Sequence, residues 1–231
     1  MEVIASRVFN LLFIYLDILW LVTLFVILLV FKRYQAIIAG LAGGIIYFLV
    51  DYGIFYLLLD TRVVQGANIA WLLLWLSMSY GFTNFVWIWL WLDRDGHAIE
   101  WSVLIISGWI ATAFLSQSFG GAFDSITIYR GTGSYHGIMA LLLLIGYAIL
   151  VIKNIKQKET KIKILWILAI GILVQFSWEA VLLISGIREP SIVPLVVNSV
   201  LETNMGLPFI FLIHQAISSR YDEGLKRIKA S

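Results

Sequence analysis

Long apolar runs dominate the chain and predict seven helices. Each run is about long enough to cross a hydrocarbon core of about 30 Å, and none shows the period-two alternation of a membrane barrel strand. The predicted helices are Val8–Phe31, Ala36–Leu59, Ile69–Leu92, Trp101–Phe119, Gly137–Ile152, Ile164–Ser185 and Val193–Ile217. The loops are too short for a soluble domain. We therefore predict that residues 1–231 form a single all-α domain, an integral membrane bundle of seven transmembrane helices.

Composition supports this class and excludes others. The chain is 61% hydrophobic and 13% charged, whereas soluble domains average about 45–50% and about 25%. A water-soluble globule, a disordered chain and a nucleic-acid binder are therefore excluded. The chain has no cysteine, which removes disulfides, thiolate metal sites and cysteine nucleophiles.

Basic residues are distributed unequally between the two sides of the predicted bundle. Twelve lie on the side of the loops after helices one, three, five and seven: Lys32, Arg33, Arg94, Lys153, Lys156, Lys158, Lys161, Lys163, Arg220, Lys226, Arg227 and Lys229. The other side has four, namely Arg7, Arg62, Arg130 and Arg188. This excess predicts a multi-pass protein with its N-terminus outside and its C-terminus in the cytoplasm.

Glycine pairs mark two further features. The Gly-Gly pairs at 43–44 and 120–121 predict a close helix approach or a turn. The segment 120–134 is the longest loop on the outer side. It would either cover a cavity as a lid or simply connect two helices.

Four carboxylates interrupt the apolar spans. Of the 30 charged residues, 26 lie outside the spans or at their ends; the exceptions are Asp17, Asp51, Glu179 and Glu202. A charge at membrane depth is costly and marks a candidate functional site. We expect no Lys, Arg or mid-span His to pair with these acids. Burial without a cation favours the neutral carboxylic acid, which is the form that general-acid chemistry requires.

The depth of the four acids predicts one shared cavity. At about 1.5 Å of rise per residue, all four lie roughly 9–14 Å below the outer face. Asp51 and Glu202 are the principal catalytic candidates. The residues expected to line or support the cavity are Asp17, Glu179, Trp178, Asn198, Tyr47, Tyr80, Asn84 and Gln175. Several follow helical spacing, as Asn198 with Glu202 and Gln175 with Glu179.

Other interpretations of the acids stay open. A buried carboxylic acid can hydrogen-bond a neighbouring helix and serve only to hold the bundle together, and Asp17 fits this role best. Carboxylates at mid-depth are also usual in small proton-coupled transporters, although no inverted repeat is evident here. A non-catalytic lipid-binding protein is the third alternative.

The residue inventory argues against metal and nucleotide chemistry. His97 falls in a cytoplasmic loop, His136 near the outer end of helix five and His214 near the inner end of helix seven. We therefore expect that the three histidines cannot converge on one metal. The Asp93-Arg94-Asp95 segment is interpreted as a solvated connector. No phosphate-binding glycine loop or nucleophile elbow is present. We therefore expect no metal and no cofactor.

Short motifs resemble a known family. An acid midway along helix two, in Asp51-Tyr52-Gly53, and another in the last helix, in Glu202-Thr203-Asn204-Met205-Gly206, resemble the small seven-helix integral-membrane terpene cyclases of fungal meroterpenoid and indole-diterpene biosynthesis. The polar ending from Arg220 to Lys226 is similar too. The family usually has Glu after Trp in helix two, whereas here Asp51 follows Val50. Its acid in the last helix is usually Asp, whereas here it is Glu202.

The resemblance implies a reaction. Such cyclases protonate an epoxide or alkene of a polyprenyl chain without a metal and guide carbocation cyclisation. In this chain, Asp51 and Glu202 would be the acid pair. The expected partners are a hydrophobic polyprenyl or terpenoid substrate and membrane lipids, with no nucleic acid. The oligomeric state is left open.

Overall fold

Seven long helices account for most of the chain. The computed structural model describes residues 5–157, 161–189, 191–192 and 194–230. Within these ranges, seven helices are long and apolar enough to cross a membrane. Their α-helical parts are α1 Leu11–Val30, α2 Tyr34–Phe48, α3 Ile69–Leu92, α4 Ala98–Phe119, α5 His136–Lys156, α6 Ile164–Ile184 and α7 Ser199–Ala230. The prediction of seven helices of membrane-spanning length is therefore confirmed.

Within the described residues, π-helical segments occur at two places. α2 continues as a π-helix over Leu49–Leu58, and a shorter π-helical segment, Pro194–Asn198, precedes α7. These wider turns replace parts of the second and seventh predicted helices. The predicted first residue of the seventh helix, Val193, lies outside the described residues, as does Lys158 of the basic loop.

A small β-sheet, which the sequence did not predict, lies at one end of the bundle. Within the described residues it has three antiparallel strands, β1 Ala5–Asn10, β2 Arg62–Gln65 and β3 Ser125–Arg130, with β3 in the centre. The predicted start of helix one at Val8 is therefore wrong, because Val8 pairs with Thr127 and α1 begins at Leu11. The 120–134 loop contributes the central strand rather than a simple connection.

The sheet gathers alternate connections of the bundle. Its strands precede α1, link α2 to α3 and link α4 to α5, so they meet at the same end. The connection after α6 joins them, because Arg188 forms an isolated bridge with Arg7 and the Ile187 carbonyl accepts from the Val8 N–H at 2.8 Å. We call this end of the bundle, with the three strands and residues 185–189, the sheet end.

Glycines bring α2 and α3 together. Gly43 and Gly44 are buried in α2, as predicted for a close approach, and Gly81 of α3 lies against their backbone. A β-carbon on Gly81 would stand 2.7 Å from the Gly44 Cα. This contact leaves no room for a side chain, and it fixes α3, which carries Tyr80 and Asn84, close beside the helix that leads to Asp51.

Candidate functional site

Asp51 lies between two arginines at the sheet end. It occupies the π-helical segment after α2, whereas Arg62 begins β2 and Arg130 ends β3. Arg62 and Arg130 are directly opposite each other in the sheet. Arg62 donates to Asp51 Oδ1 from Nε at 2.7 Å, and Arg130 donates from Nη2 at 3.2 Å. Strand pairing thus delivers two guanidiniums to one buried carboxylate.

Glu179 has a second arginine pair. Arg7 of β1 and Arg188 after α6 form the isolated bridge described above. Arg188 Nη1 forms an ion pair with Glu179 Oε2, and Arg7 Nη2 lies 3.8 Å from Oε1. Asn198 also donates to Oε1 at 3.2 Å. The Glu179 side chain is fully buried, so its charge is balanced within the protein.

The predicted absence of basic partners is therefore wrong for Asp51 and Glu179. The four partners are the arginines that the sequence placed on the sparsely charged side of the bundle. They lie near the span ends, and their long side chains reach inward from the sheet. Because helical periodicity does not describe strand pairing, the sequence offered no direct signal that they converge on the acids.

Glu202 is the third acid near these arginines, and with Asp51 and Glu179 it forms what we call the cluster. Its contacts differ from those of the other two acids. It lies in the first turn of α7 and is partly exposed. Its Oε2 accepts from Gln175 Nε2 at 3.1 Å. Among the described residues, no Lys or Arg lies within ion-pair distance of it, although its charge acts on Arg7, Arg62 and Arg130. Glu202 is thus the accessible acid of the cluster.

Gln175 links the acids to polar neighbours. Its Nε2 donates to both Glu202 and Glu179, and its Oε1 accepts from Thr203 Oγ1 at 2.6 Å and from the Tyr80 hydroxyl. Both ends of the amide are therefore used, which fixes its orientation. Thr203 was not among the predicted residues, although it adjoins Glu202 in the sequence.

Aromatic side chains border this polar network. Tyr47 packs edge-on against Tyr80 with 5.2 Å between ring centroids, and Trp178 lies 5.5 Å from Tyr80. Trp178 and Tyr80 therefore bring aromatic surface next to Gln175. Asn84 is fully buried one turn after Tyr80, and both of its amide atoms lack a partner among the described residues.

Asp17 lies apart from the cluster. Its Oδ2 accepts from Trp75 Nε1 at 2.9 Å, which links α1 to α3. Phe9 and Phe13 pack around the same indole. The structure thus brings together three of the four predicted acids, and gives Asp17 a contact between helices.

Repulsion and burial act on the arginines. Burial lowers the pKa of Arg7 to about 9, assisted by the neighbouring positive charges of Arg188 and Arg130. Burial and Arg130 likewise lower the pKa of Arg62 to about 10. For Arg130, burial is outweighed by Asp51 and Glu202, so its pKa is raised. All three guanidiniums remain protonated at neutral pH, but burial and the neighbouring arginines disfavour the charge on Arg7 and Arg62.

The sheet end also contains a cavity of about 310 Å³. It lies between β1, the end of α4 and β3, and is lined by Val8, Phe9, Asn10, Gln117, Gly120, Gly121, Phe123 and Ser125. None of the predicted site residues lines it.

The opposite end of the bundle holds a separate hydrogen bond and a separate ion pair. His214 Nε2 lies 2.6 Å from Asp93 Oδ1, and Arg33 pairs with Asp95 at 2.5 Å. The predicted connector Asp93–Asp95 is thus tied to α7 and to the start of α2. No family model, curated protein or solved structure matches the chain.

Proposed function

We propose that this protein is a multi-pass membrane enzyme that protonates a polyprenyl epoxide or alkene and guides the resulting carbocation through cyclisation or isomerisation. The observation that carries the proposal is the set of contacts around Glu202. It is a partly exposed carboxyl group whose close partner is a neutral amide, within a cluster whose other carboxylates are paired with arginine. A carboxyl group that no guanidinium holds as an ion pair is the member of this cluster best suited to carry and donate a proton.

The contacts support different roles for the two acids of the expected pair. Asp51 accepts from two guanidiniums, which stabilise its ionised form, so it is unsuited to donate a proton. We assign Glu202 as the proton donor and Asp51 as the group that positions Arg130. No metal or cofactor is needed for this step.

The proposed step conserves atoms and charge. The O–H bond of protonated Glu202 breaks, and its proton bonds to the epoxide oxygen or to an alkene carbon, which leaves a carbocation in the substrate. The faces of Tyr47, Tyr80 and Trp178 would stabilise that cation. Loss of a proton from the substrate to the Glu202 carboxylate then ends the reaction and restores the acid.

The surface of the bundle supports a location in the membrane. Large apolar side chains are exposed on the outer faces of the helices, including Leu19, Leu144 and Leu165. Apolar surface of this extent requires cover, and lipid provides it. A hydrophobic substrate would enter from the same lipid phase. We also propose that the sheet end faces the outside and that the C-terminus is cytoplasmic.

Replacement of Glu202 tests the assignment. The purified chain, in lipid nanodiscs, is incubated with a polyprenyl epoxide and with the matched polyene, and products are analysed by mass spectrometry. We expect Glu202→Gln to lower kcat by about 10²- to 10⁴-fold, the usual contribution of a general acid. In D2O, the product that the unmodified protein forms from the polyene should retain one deuterium on carbon, because protonation of that substrate occurs at an alkene carbon.

Asp17→Asn is the matched control, because Asp17 is a buried span carboxylate outside the cluster. It should retain turnover within about threefold if general-acid catalysis resides in Glu202. Circular dichroism and gel filtration establish that each variant is folded. Full turnover in folded Glu202→Gln would overturn the assignment, and proton-coupled uptake of a solute without product formation would favour a transporter.

A further inference from the structure

Four arginines meet at the sheet end, and we call Arg7, Arg62, Arg130 and Arg188 the arginine cap. Within the described residues they face three carboxylates, those of Asp51, Glu179 and Glu202. The cluster therefore carries one excess positive charge when every group is ionised. It carries two when Glu202 is protonated, as the proposed function requires. A buried charge excess of this kind is costly unless an anion balances it.

The arginine cap also has unused hydrogen-bond donors. The Nε atoms of Arg7, Arg130 and Arg188 are buried, and none has a hydrogen-bond partner among the described residues. A guanidinium presents its donors in a rigid fork that matches the oxygens of phosphate and carboxylate. Leaving such donors unpaired costs free energy. These three atoms belong to both arginine pairs, so the unused capacity extends across the cap.

The exposure of the four side chains identifies where an anion would enter. Arg130 is 22% exposed, whereas Arg62 is fully buried and Arg7 and Arg188 are 5% and 6% exposed. Both hydrogen bonds from Arg130 to Asp51 come from the same atom, Nη2. Arg130 can therefore contact a ligand without breaking the ion pairs that hold the sheet end together. Glu202, the other accessible titratable group, lies within its electrostatic reach.

We infer that the arginine cap binds the phosphate head group of a polyprenyl lipid, with Arg130 as its first contact. A phosphate monoester carries close to two negative charges at neutral pH, which matches the excess that protonated Glu202 leaves. Its three terminal oxygens accept several donors at once. The inference rests on the proposed function and names its substrate class: an anionic head at the arginine cap and an apolar chain that passes Glu202.

The mutual repulsion of the arginines supports the inference. The neighbouring positive charges that lower the pKa of Arg7 and Arg62 would be offset by a bound anion. Ligand binding should therefore stabilise the fold as well as satisfy the free donors.

Binding measurements on the unmodified protein test this directly. Intrinsic tryptophan fluorescence in nanodiscs of zwitterionic lipid is titrated with a polyprenyl monophosphate, the matched polyprenyl alcohol and inorganic phosphate. We expect the monophosphate to bind at least tenfold more tightly than the alcohol, and its affinity to fall as salt is raised. Equal affinity for the alcohol and the monophosphate would overturn the inference. Full competition by inorganic phosphate at the lipid concentration would overturn the lipid assignment and indicate a site for free phosphate.

Variants separate this inference from the proposed function. Arg130→Gln should weaken monophosphate binding at least tenfold, Arg130→Lys should restore part of it, and Arg220→Gln, an exposed arginine of α7, should leave it unchanged. Glu202→Gln should retain binding while turnover is lost, since an amide mimics the neutral acid. Unchanged monophosphate affinity in folded Arg130→Gln would overturn the inference. Retained turnover in Glu202→Gln would instead overturn the proposed function and leave phosphate binding intact.

Discussion

At the residue scale, a single buried carboxylate receives two guanidiniums from adjacent strands. Asp51 is 7% exposed, and Arg62 donates to it from Nε at 2.7 Å while Arg130 approaches at 3.2 Å. Burying each of these charges alone costs several kcal/mol, so the arrangement depends on all members being present. Phe55 adds a cation–π contact, with the Arg62 guanidinium 4.4 Å from its ring centroid.

Removing one member of the Asp51–Arg62 pair should therefore be strongly destabilising. We expect Asp51→Asn to lower the free energy of unfolding by about 3–5 kcal/mol, because it leaves Arg62 buried without its counter-charge. Arg62→Gln should cost less, because Arg130 still balances the charge of Asp51. The double variant should cost clearly less than the sum, since the second change removes the orphaned charge. Unfolding by SDS titration in detergent measures all three. Additive single losses would contradict a direct coupling between Asp51 and Arg62.

The sequence predicted candidate acids better than it predicted their partners. A carboxylate within an apolar run is rare and can be recognised from the sequence alone, which is how Asp51, Glu179 and Glu202 were predicted. Arg62 and Arg130 are 68 residues apart in the chain and become neighbours only through strand pairing. In the count of basic residues per loop, Arg62 and Arg130 contributed only to the predicted orientation of the chain. Their inward direction depends on the sheet, and no local pattern announced it.

At the element scale, the α-helices were predictable from the sequence, whereas the strands and the π-helical segments were not. Ile69–Leu92 was predicted with the bounds that the structure has, because long apolar runs determine helices in this composition. β2 has only four residues, too few for an alternating pattern to stand out. The π-helical segments carry Asp51 and Asn198. Wider turns of this type are frequent at functional sites, yet they have no sequence signature that apolar periodicity would detect.

The contact between α2 and α3 gives a prediction about packing. Gly81→Ala would place a β-carbon 2.7 Å from the Gly44 Cα and 2.9 Å from the Gly43 carbonyl oxygen. Because both are backbone atoms, the helices must separate, and we expect a loss of about 1–3 kcal/mol in the free energy of unfolding. SDS titration in detergent measures it.

Gly137→Ala is the control for that change. Gly137 lies in α5, and a β-carbon there would meet no atom within 4 Å apart from its chain neighbours and the nearby backbone of its own helix. Alanine is the better helix former, so this variant should be neutral or more stable by about 0.5–1 kcal/mol. If Gly81→Ala were as stable as Gly137→Ala, the close approach of α2 and α3 would be contradicted.

At the scale of the whole molecule, the two ends of the bundle use charge differently. The four arginines of the sheet end are drawn into the carboxylate cluster, whereas the basic residues near the opposite end include the exposed Lys32, Arg94 and Lys156. Solvated positive charge is what retains a loop in the cytoplasm. The four arginines at the sheet end are mostly buried rather than solvated, which strengthens the predicted asymmetry.

This asymmetry makes the orientation of the chain testable with single cysteines. The native sequence has no cysteine, so any label reports the introduced site. Asp124→Cys lies in the exposed turn before β3 at the sheet end, and Gly96→Cys lies in the exposed connection between α3 and α4 at the other end. A membrane-impermeant maleimide should label Asp124→Cys in intact cells and Gly96→Cys only after permeabilisation. The reverse pattern would place the sheet end in the cytoplasm. The end of the bundle with fewer basic residues would then lie in the compartment that normally carries the excess of Lys and Arg, and a phosphate head group would have to reach the arginine cap from the cytoplasmic leaflet.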